Sequence, residues 1–256
     1  MAAVILVTND DGVHAAGLDA MAGALDELGE VYVVAPDREQ SAVGHALTLH
    51  RPLRVTQVGE RRFAVNGTPS DCVNLAVLGF LPGRPVLVAA GINHGSNLGD
   101  DVTYSGTVSA AMEGTLLGVP SIAVSQADAG TAGFEGAAAV TRLLASRVLV
   151  EGLPAKTLLN VNVPGGIAGG IRMTRLGHRV YREKVVQEVD PRGQPYYWIG
   201  AGPPEWAEDE ASDIAAVQRG LASVTPLHLD LTHYGALGRM GDWESSLNAL
   251  LRKRPR

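Results

Sequence analysis

Short apolar runs rich in β-branched residues alternate with helical patterns along the first half of the chain, and this alternation restricts the fold more than any other feature. The runs that predict buried strands lie at residues 3–7, 31–35, 85–90 and 121–125. Helical spacing of apolar residues is found between them and after them, over residues 17–28, 105–118 and 134–149. Strand–helix–strand units of this kind form right-handed crossovers in a mainly parallel sheet. The sequence therefore predicts an α/β fold.

The segment after the second predicted strand and the second half of the chain are less regular. Further strands are predicted at residues 47–58, 62–65, 158–163 and 221–227. Residues 180–200 predict a projecting β-hairpin that turns at 190–193, and its aromatic segment suits either a partner-binding arm or an extension packed on its own core. We expect one domain over residues 1–256. Its predicted parts are a core of about 1–178 and 213–235, the hairpin at about 180–200, and a C-terminal helix at about 241–252.

Composition narrows the functional classes. The 256 residues carry a formal net charge of −6, which argues against a nucleic-acid polymer as partner, because such proteins need a basic surface. A single cysteine, Cys72, has no internal disulfide partner and lies in an apolar pattern, so we expect a small buried side chain in a reducing compartment. No signal-peptide pattern or membrane-spanning run is found. We therefore expect a cytoplasmic protein with no membrane partner.

An acidic pair follows the first strand directly, in the turn Asn9-Asp10-Asp11-Gly12. Two adjacent carboxylates repel each other unless a cation or a proton lies between them. A divalent metal bound by oxygen ligands is one explanation, and magnesium or manganese suits such ligands. A solvated Asx turn without a metal is the other explanation, and this segment alone favours neither.

Convergence of loops favours the metal. The acidic pair, Ser41 and Asn93 with Asn97 each follow a different predicted strand at its carboxyl end. In a parallel sheet those ends share one edge, which is where open α/β folds bind ligands.

A second pattern points to an anion next to that metal. Ser105, Gly106 and Thr107 open a predicted helix, whose free N–H groups favour phosphate, although a plain helix cap explains the same residues. Neither a Walker lysine nor a dinucleotide-binding glycine pattern is present. A metal beside an anion-binding helix end predicts phosphoester hydrolysis. His94 and His14 lie in the site loops and are the best candidates for proton transfer.

Five motifs stand in order along the chain: Val7-Thr8-Asn9-Asp10-Asp11-Gly12, Val34-Ala35-Pro36-Asp37-Arg38 with Ser41, Gly67-Thr68-Pro69-Ser70-Asp71-Cys72, Gly91-Ile92-Asn93-x-Gly95-x-Asn97-x-Gly99 and Tyr104-Ser105-Gly106-Thr107-Val108-x-Ala110-Ala111-x-Glu113-Gly114. Together they resemble the SurE family, stationary-phase survival proteins that act as metal-dependent nucleotide phosphatases. Later segments at 160–164 and 190–193 fit in the same order. Two small departures are Ala90 and Ser96, which stand where serine and proline are common. Ser96 could loosen the loop that carries Asn97, because a proline would have fixed its backbone.

The resemblance implies a Rossmann-like three-layer core and one divalent cation per subunit, Mg²⁺ or Mn²⁺. The residues that would hold the cation are Asp10, Asp11, Ser41 and Asn93. Those that would line the phosphate are Asn9, Asn97, Ser105, Gly106 and Thr107. It also implies a homodimer or homotetramer that exchanges the hairpin and the C-terminal helix between subunits.

The expected activity is hydrolysis of nucleoside 5'-monophosphates by a metal-activated water, with Asp10 orienting or deprotonating that water. Activity on 3'-nucleotides or short polyphosphate stays open. An aspartyl-phosphate intermediate on Asp10 is disfavoured, since that chemistry usually needs two aspartates two positions apart. A non-catalytic nucleotide sensor and an oligomeric scaffold are the alternatives from other classes.

Overall fold

The computed structural model of the chain describes residues 3–127, 133–165, 169–180, 184–201 and 205–252. Its strands are β1 (Val4–Thr8), β2 (Glu30–Pro36), β3 (Val55–Gly59), β4 (Arg62–Val65), β5 (Leu87–His94), β6 (Ser121–Gln126), β7 (Thr157–Val163), β8 (Ile171–Met173), β9 (Arg179–Val180), β10 (Lys184–Val189), β11 (Pro195–Ala201), β12 (Glu205–Trp206) and β13 (Ala222–His228). Its helices are α1 (Ala16–Leu25), α2 (Pro69–Leu75) with a following π-helical turn (Ala76–Phe80), α3 (Gly106–Leu116) preceded by a 3₁₀ turn (Gly99–Thr103), α4 (Glu135–Glu151), α5 (Asp213–Gln218), α6 (Tyr234–Arg239) and α7 (Gly241–Arg252).

One nine-stranded sheet runs through the molecule in the order β3-β4-β2-β1-β5-β6-β7-β13-β8. The six strands from β4 to β7 are mutually parallel, whereas β3 and β13 pair antiparallel with their inner neighbours. This confirms the predicted α/β fold with a mainly parallel sheet. The chain passes from β2 on one side of β1 to β5 on the other, so the strand order reverses there. The crevice at such a reversal is where open α/β sheets bind ligands.

Two hydrophobic clusters cover the two faces of the sheet. Successive side chains of a strand point to opposite faces, so Ile5 and Val7 pack with α1 and α4, whereas Leu6 packs with α2 and α3. Cys72 is buried in the second cluster, and burial raises the pKa of its thiol well above the ordinary value. It is therefore the small buried side chain that its apolar pattern predicts. The helices on both faces give the three-layer arrangement.

Three sequence predictions in the first half are wrong in extent. Of the strand predicted at 47–58 only Val55–Gly59 forms, because Pro52 lacks an N–H and neighbouring backbone N–H groups bond to side chains instead. Thr48 donates its backbone N–H to Asp71 at 2.8 Å. The strand predicted at 85–90 is displaced along the chain, since β5 begins at Leu87 and continues to His94 with a register irregularity against β6. The helix predicted at 17–28 ends earlier, at Leu25.

The hairpin and the C-terminal helix are present as predicted. Strands β10 and β11 pair antiparallel, and the Asp190 carboxylate accepts the backbone N–H groups of Arg192 and Gln194, each at 2.8 Å. Residues 181–183 of the predicted hairpin lie outside the described part of the chain. Trp198 on β11 and Trp243 on α7 are exposed. Helices α5 and α6 were not predicted, because each is only six residues long.

None of the helices in the described residues is long and apolar enough to span a membrane. The division of the chain into a single domain with a core, a hairpin and a terminal helix stays a prediction.

Candidate active site

A cavity of about 830 Å³ opens at the carboxyl edge of the parallel strands. Loops that follow β1, β2 and β5 contribute to it, together with the start of α3. Six of the predicted site residues line it, namely Asp10, Asp11, Ser41, Asn93, Asn97 and Ser105. Its size is typical of small-molecule pockets. The expected convergence of loops at one sheet edge is therefore present.

Asp10 is almost fully buried where β1 ends. The Thr107 hydroxyl donates a short hydrogen bond to its carboxylate, and the backbone N–H groups of Thr107 and Gly106 also point to it. Burial raises the pKa of Asp10, and these hydrogen bonds from α3 oppose the rise. The N-terminus of α3 thus holds an anion supplied by the chain itself.

Asp11 lies beside Asp10 and is partly exposed. Burial, followed by the negative charge of Asp10, raises the pKa of Asp11 to about 6. Both carboxyl groups therefore cost free energy to ionise together in this pocket. A bound cation would remove that cost, because an opposite charge within a few ångströms favours the ionised form.

Ser41 and Asn93 bring neutral oxygen atoms to the same cavity. The Ser41 hydroxyl donates to Glu39 Oε1 at 2.7 Å. The backbone N–H of Gln40 donates to the Asp10 carbonyl at 2.8 Å, so the loop after β2 is attached directly to the loop after β1. The Asn93 amide nitrogen donates to the Gly95 carbonyl at 2.8 Å, and this leaves the amide oxygen as the group able to bind a cation.

The donor set fits a hard divalent cation. Two carboxylates, one hydroxyl and one amide oxygen are ligands that magnesium and manganese accept, with water completing the coordination. No group of three or more His, Cys, Asp or Glu side chains able to hold a metal occurs among the residues that the structure describes.

Asn9 bonds the backbone of its own turn and is not among the residues that line the cavity. Its side chain is fully buried, and its amide exchanges two hydrogen bonds with the backbone of Gly12, at 3.1 and 3.2 Å. This is the Asx turn that the sequence also allowed. Asn9 therefore shapes the turn that carries Asp10, and the turn and the cavity coexist.

The first turn of α3 approaches Asp10 very closely. Ser105 caps the helix by accepting the backbone N–H of Val108 at 3.0 Å, and it lines the cavity. At Gly106 a Cβ would lie 2.8 Å from both Cβ and Oδ2 of Asp10. Only glycine allows this approach, so the helix end and the acidic turn are fitted to each other.

Arg179 and Asp101 also line the cavity, and sequence reasoning did not find them. Arg179 Nη1 contacts Asp101 Oδ1 at 2.6 Å, and its backbone N–H donates to Asp100 Oδ2 at 2.8 Å. No local motif marks an arginine at the base of a hairpin as a cavity residue.

Of the two candidate histidines, His94 lines the cavity, whereas His14 is exposed and is not a lining residue.

The loop that carries Ser41 is also attached to the middle of α3. Glu113 is buried, and its carboxylate accepts hydrogen bonds from His45 Nε2 and Asn74 Nδ2, each at 2.8 Å. The bond from His45 lowers the pKa of Glu113, while burial opposes that shift. One helix therefore holds Asp10 at its first turn and the Ser41 loop two turns later.

Glu113→Gln should reduce the free energy of unfolding by about 1 kcal/mol near pH 7, the typical value of one hydrogen bond. The pKa of Glu113 is lowered in the folded state, so its contribution is complete above the unfolded pKa of about 4.3 and is lost as pH falls through the lower folded value. Urea unfolding from pH 7 to pH 3 should show the difference from wild type shrinking below pH 5. Glu151→Gln, which removes an exposed pair with Arg147, is the control and should have little effect at any pH. An equal response of both variants would contradict the assignment.

Comparisons with known proteins agree with this geometry. Residues 5–183 match the family model for the survival protein SurE. The chain is 54% identical over 242 residues to the 5'-nucleotidase SurE of Syntrophotalea carbinolica, covering 94% of this chain and 97% of that protein. It is 56% identical over 246 residues to the 5'-nucleotidase SurE of Geotalea uraniireducens, covering 94% and 98%. The crystal structure of the SurE protein from Aquifex aeolicus superposes with a TM-score of 0.85 at 46% identity, covering 94% and 99%. The chain belongs to the SurE family.

Proposed function

We propose that the protein is a divalent-metal-dependent phosphatase that hydrolyses nucleoside 5'-monophosphates to nucleoside and phosphate. The observation that carries the proposal is the pair Asp10 and Asp11 in one cavity with the N-terminus of α3. The names of the two bacterial relatives, both called 5'-nucleotidase SurE, support the same substrate class.

In this proposal Asp10, Asp11, Ser41 and Asn93 hold one Mg²⁺ or Mn²⁺ ion per subunit. A divalent cation bound there would neutralise charge on a phosphoryl oxygen and lower the pKa of a water molecule. The raised pKa values of both aspartates support this assignment, because they show that ionising the two carboxyl groups in this pocket is unfavourable without an added positive charge.

The remaining groups act on the phosphate and on protons. Asn97 and Ser105, which line the cavity, bind the phosphate oxygens, whereas the N–H groups of Gly106 and Thr107 hold the Asp10 carboxylate at the end of α3. Asp10, which lies in the cavity beside the other proposed cation donors, orients the attacking water or accepts its proton. His94 lines the cavity and is the group we assign to protonate the leaving ribose oxygen. Asn9 contributes indirectly, by fixing the turn that sets Asp10.

We further propose that the protein is a homodimer or homotetramer assembled through the hairpin and α7. Both elements expose apolar side chains, and large exposed apolar groups indicate contact surfaces. They are Tyr197, Trp198 and Ile199 on β11 and Trp243, Leu247, Leu250 and Leu251 on α7. The lone buried Cys72 supports a reducing, cytoplasmic location.

Phosphate release from a panel of 5'- and 3'-nucleoside monophosphates and short polyphosphate, each with Mn²⁺, Mg²⁺ or EDTA, tests the proposal. We expect release from 5'-monophosphates with a metal and none with EDTA. The other substrates in the panel define the range of the activity. Saturable nucleotide binding without release under any metal would overturn the phosphatase and favour a nucleotide sensor.

A further inference from the structure

Asn97 is held by hydrogen bonds at its backbone and at its side chain. Its backbone N–H donates to Asn162 Oδ1 at 2.8 Å, and its carbonyl accepts the amide nitrogens of Asn162 and Asn160 at 3.0 and 2.9 Å. Its side-chain nitrogen donates to Ser125 Oγ at 2.7 Å. Asn97 is only 8% exposed, and it lines the cavity.

The partners of Asn97 come from two neighbouring strands. Ser125 on β6 pairs in register with Asn162 on β7, and Asn160 lies two positions earlier on β7. Alternate residues of a strand share a face, so both asparagines face the Asn97 loop. All three partners are fully buried. Buried amide groups are expensive unless their hydrogen bonds are made, and the Asn160 amide oxygen makes none among the described residues, so its buried side chain acts on the loop through its nitrogen alone.

We propose that Asn160 and Asn162 are positioning residues that set the affinity for the substrate phosphate by fixing Asn97. We call these two residues the asparagine clamp. The Asn162 amide bonds both polar groups of the Asn97 backbone at once, as a neighbouring strand would. Ser125 fixes the side-chain amide, so its remaining N–H and its oxygen have one orientation towards the cavity. This inference rests on the proposed contact between Asn97 and phosphate.

The clamp acts on the residue directly after Ser96. A proline at that position would restrict the backbone before Asn97, and serine does not. Here the restriction comes instead from β7, through bonds to the N–H and the carbonyl of Asn97. The affinity for phosphate therefore depends on residues that lie more than sixty positions away in sequence.

A double-mutant cycle in KM tests the clamp. Asn97→Ala should raise KM for a 5'-monophosphate about tenfold, the usual effect of losing one hydrogen bond to a charged group. Asn162→Ala should raise KM about fivefold or more with kcat changed less than about twofold. The double variant should match Asn97→Ala alone, because the clamp acts only through Asn97. Multiplying effects would overturn the positioning role.

Ser223→Ala is the matched control, since Ser223 lies opposite Asn162 on β13 and is equally buried. Its hydroxyl makes no hydrogen bond within the described part of the chain, so its removal should leave KM unchanged. Ser125→Ala removes only one oxygen atom and should raise KM in the wild-type background. It should not raise KM further when Asn97 is already alanine, because Ser125 bonds the Asn97 side chain. Asn160→Ala, which removes only one bond to the Asn97 carbonyl, keeps the test of the clamp available if Asn162→Ala does not fold, and an unchanged KM for Asn160→Ala would then contradict the proposal.

Hydrogen exchange of the full chain separates this inference from the proposed activity. Peptides that cover Asn97 should exchange faster in Asn162→Ala than in wild type, and at the wild-type rate in Ser223→Ala. Unchanged exchange in Asn162→Ala would overturn the clamp whatever the activity. Absence of phosphate release from the wild type would overturn the proposed function, while the exchange result would still decide whether β7 fixes the loop.

Discussion

Asp10→Asn is expected to abolish metal-dependent phosphate release while the fold survives. The substitution removes one of two carboxylates proposed to hold the cation and the group proposed to accept the proton. A loss of at least about 100-fold in kcat is the usual scale for removing one electrostatic element of an active site. Phosphate release at saturating Mn²⁺, with circular dichroism and thermal unfolding on the same preparation, measures both parts of the expectation.

The stability of this variant gives a second, sharper readout. Burial outweighs the hydrogen bonds from α3 and raises the pKa of Asp10, so the ionised carboxylate is costly in the folded protein. A neutral amide of the same shape removes that cost, and its oxygen can still accept from α3 although its nitrogen cannot. We therefore expect metal-free Asp10→Asn to unfold at the same temperature as wild type or higher, as is common at functional sites. Asp26→Asn, at an exposed carboxylate after α1, should change neither property. Activity near wild type in Asp10→Asn would contradict the assignment of the site.

Gly106→Ala should have the second largest effect. The added methyl group would lie 2.8 Å from Cβ and Oδ2 of Asp10, so the carboxylate or the end of α3 must move. A displacement of about 1 Å in an active site commonly costs about 100-fold in rate. Overpacking should also reduce the free energy of unfolding by about 1–3 kcal/mol. Phosphate release and urea unfolding measure the two effects.

Gly23→Ala provides the matched control, because Gly23 lies inside α1 and a Cβ there would meet nothing within 4 Å. Alanine has the higher helix propensity, so this variant should be more stable than wild type by about 0.5–1 kcal/mol and fully active. If Gly106→Ala resembled Gly23→Ala in activity, the close fit between α3 and Asp10 would have no part in the reaction.

The sheet and one edge of the site were predictable because they depend on local patterns. Short β-branched runs alternate with helical spacing, and parallel strands must present their carboxyl ends together. From these two facts Asp10, Ser41 and Asn93 could be placed in one cavity before any coordinates were known. The role of Asn9 was harder to predict, because an asparagine in such a turn can either bind a ligand or form an Asx turn with its own backbone.

The asparagine clamp and Arg179 could not be predicted in the same way. Their contacts join residues far apart in the chain, and no period or spacing within a segment encodes such a pair. Residues 47–54 likewise show an alternating pattern that suits a strand, yet their N–H groups find side-chain acceptors such as Asp71. Tertiary hydrogen bonds override local propensity at these places.

The position of strand β6 in the sheet determines how a truncated form of the chain should behave. All six of its residues are buried, and β7 together with the antiparallel β13 completes the sheet beside it. A polypeptide that ended before Thr157 would still contain every proposed cation donor, but β6 would become an unpaired edge strand. Unprotected edges of this kind pair with other chains and aggregate. Premature termination should therefore yield insoluble material instead of a weak enzyme, even though the missing part supplies no cation donor.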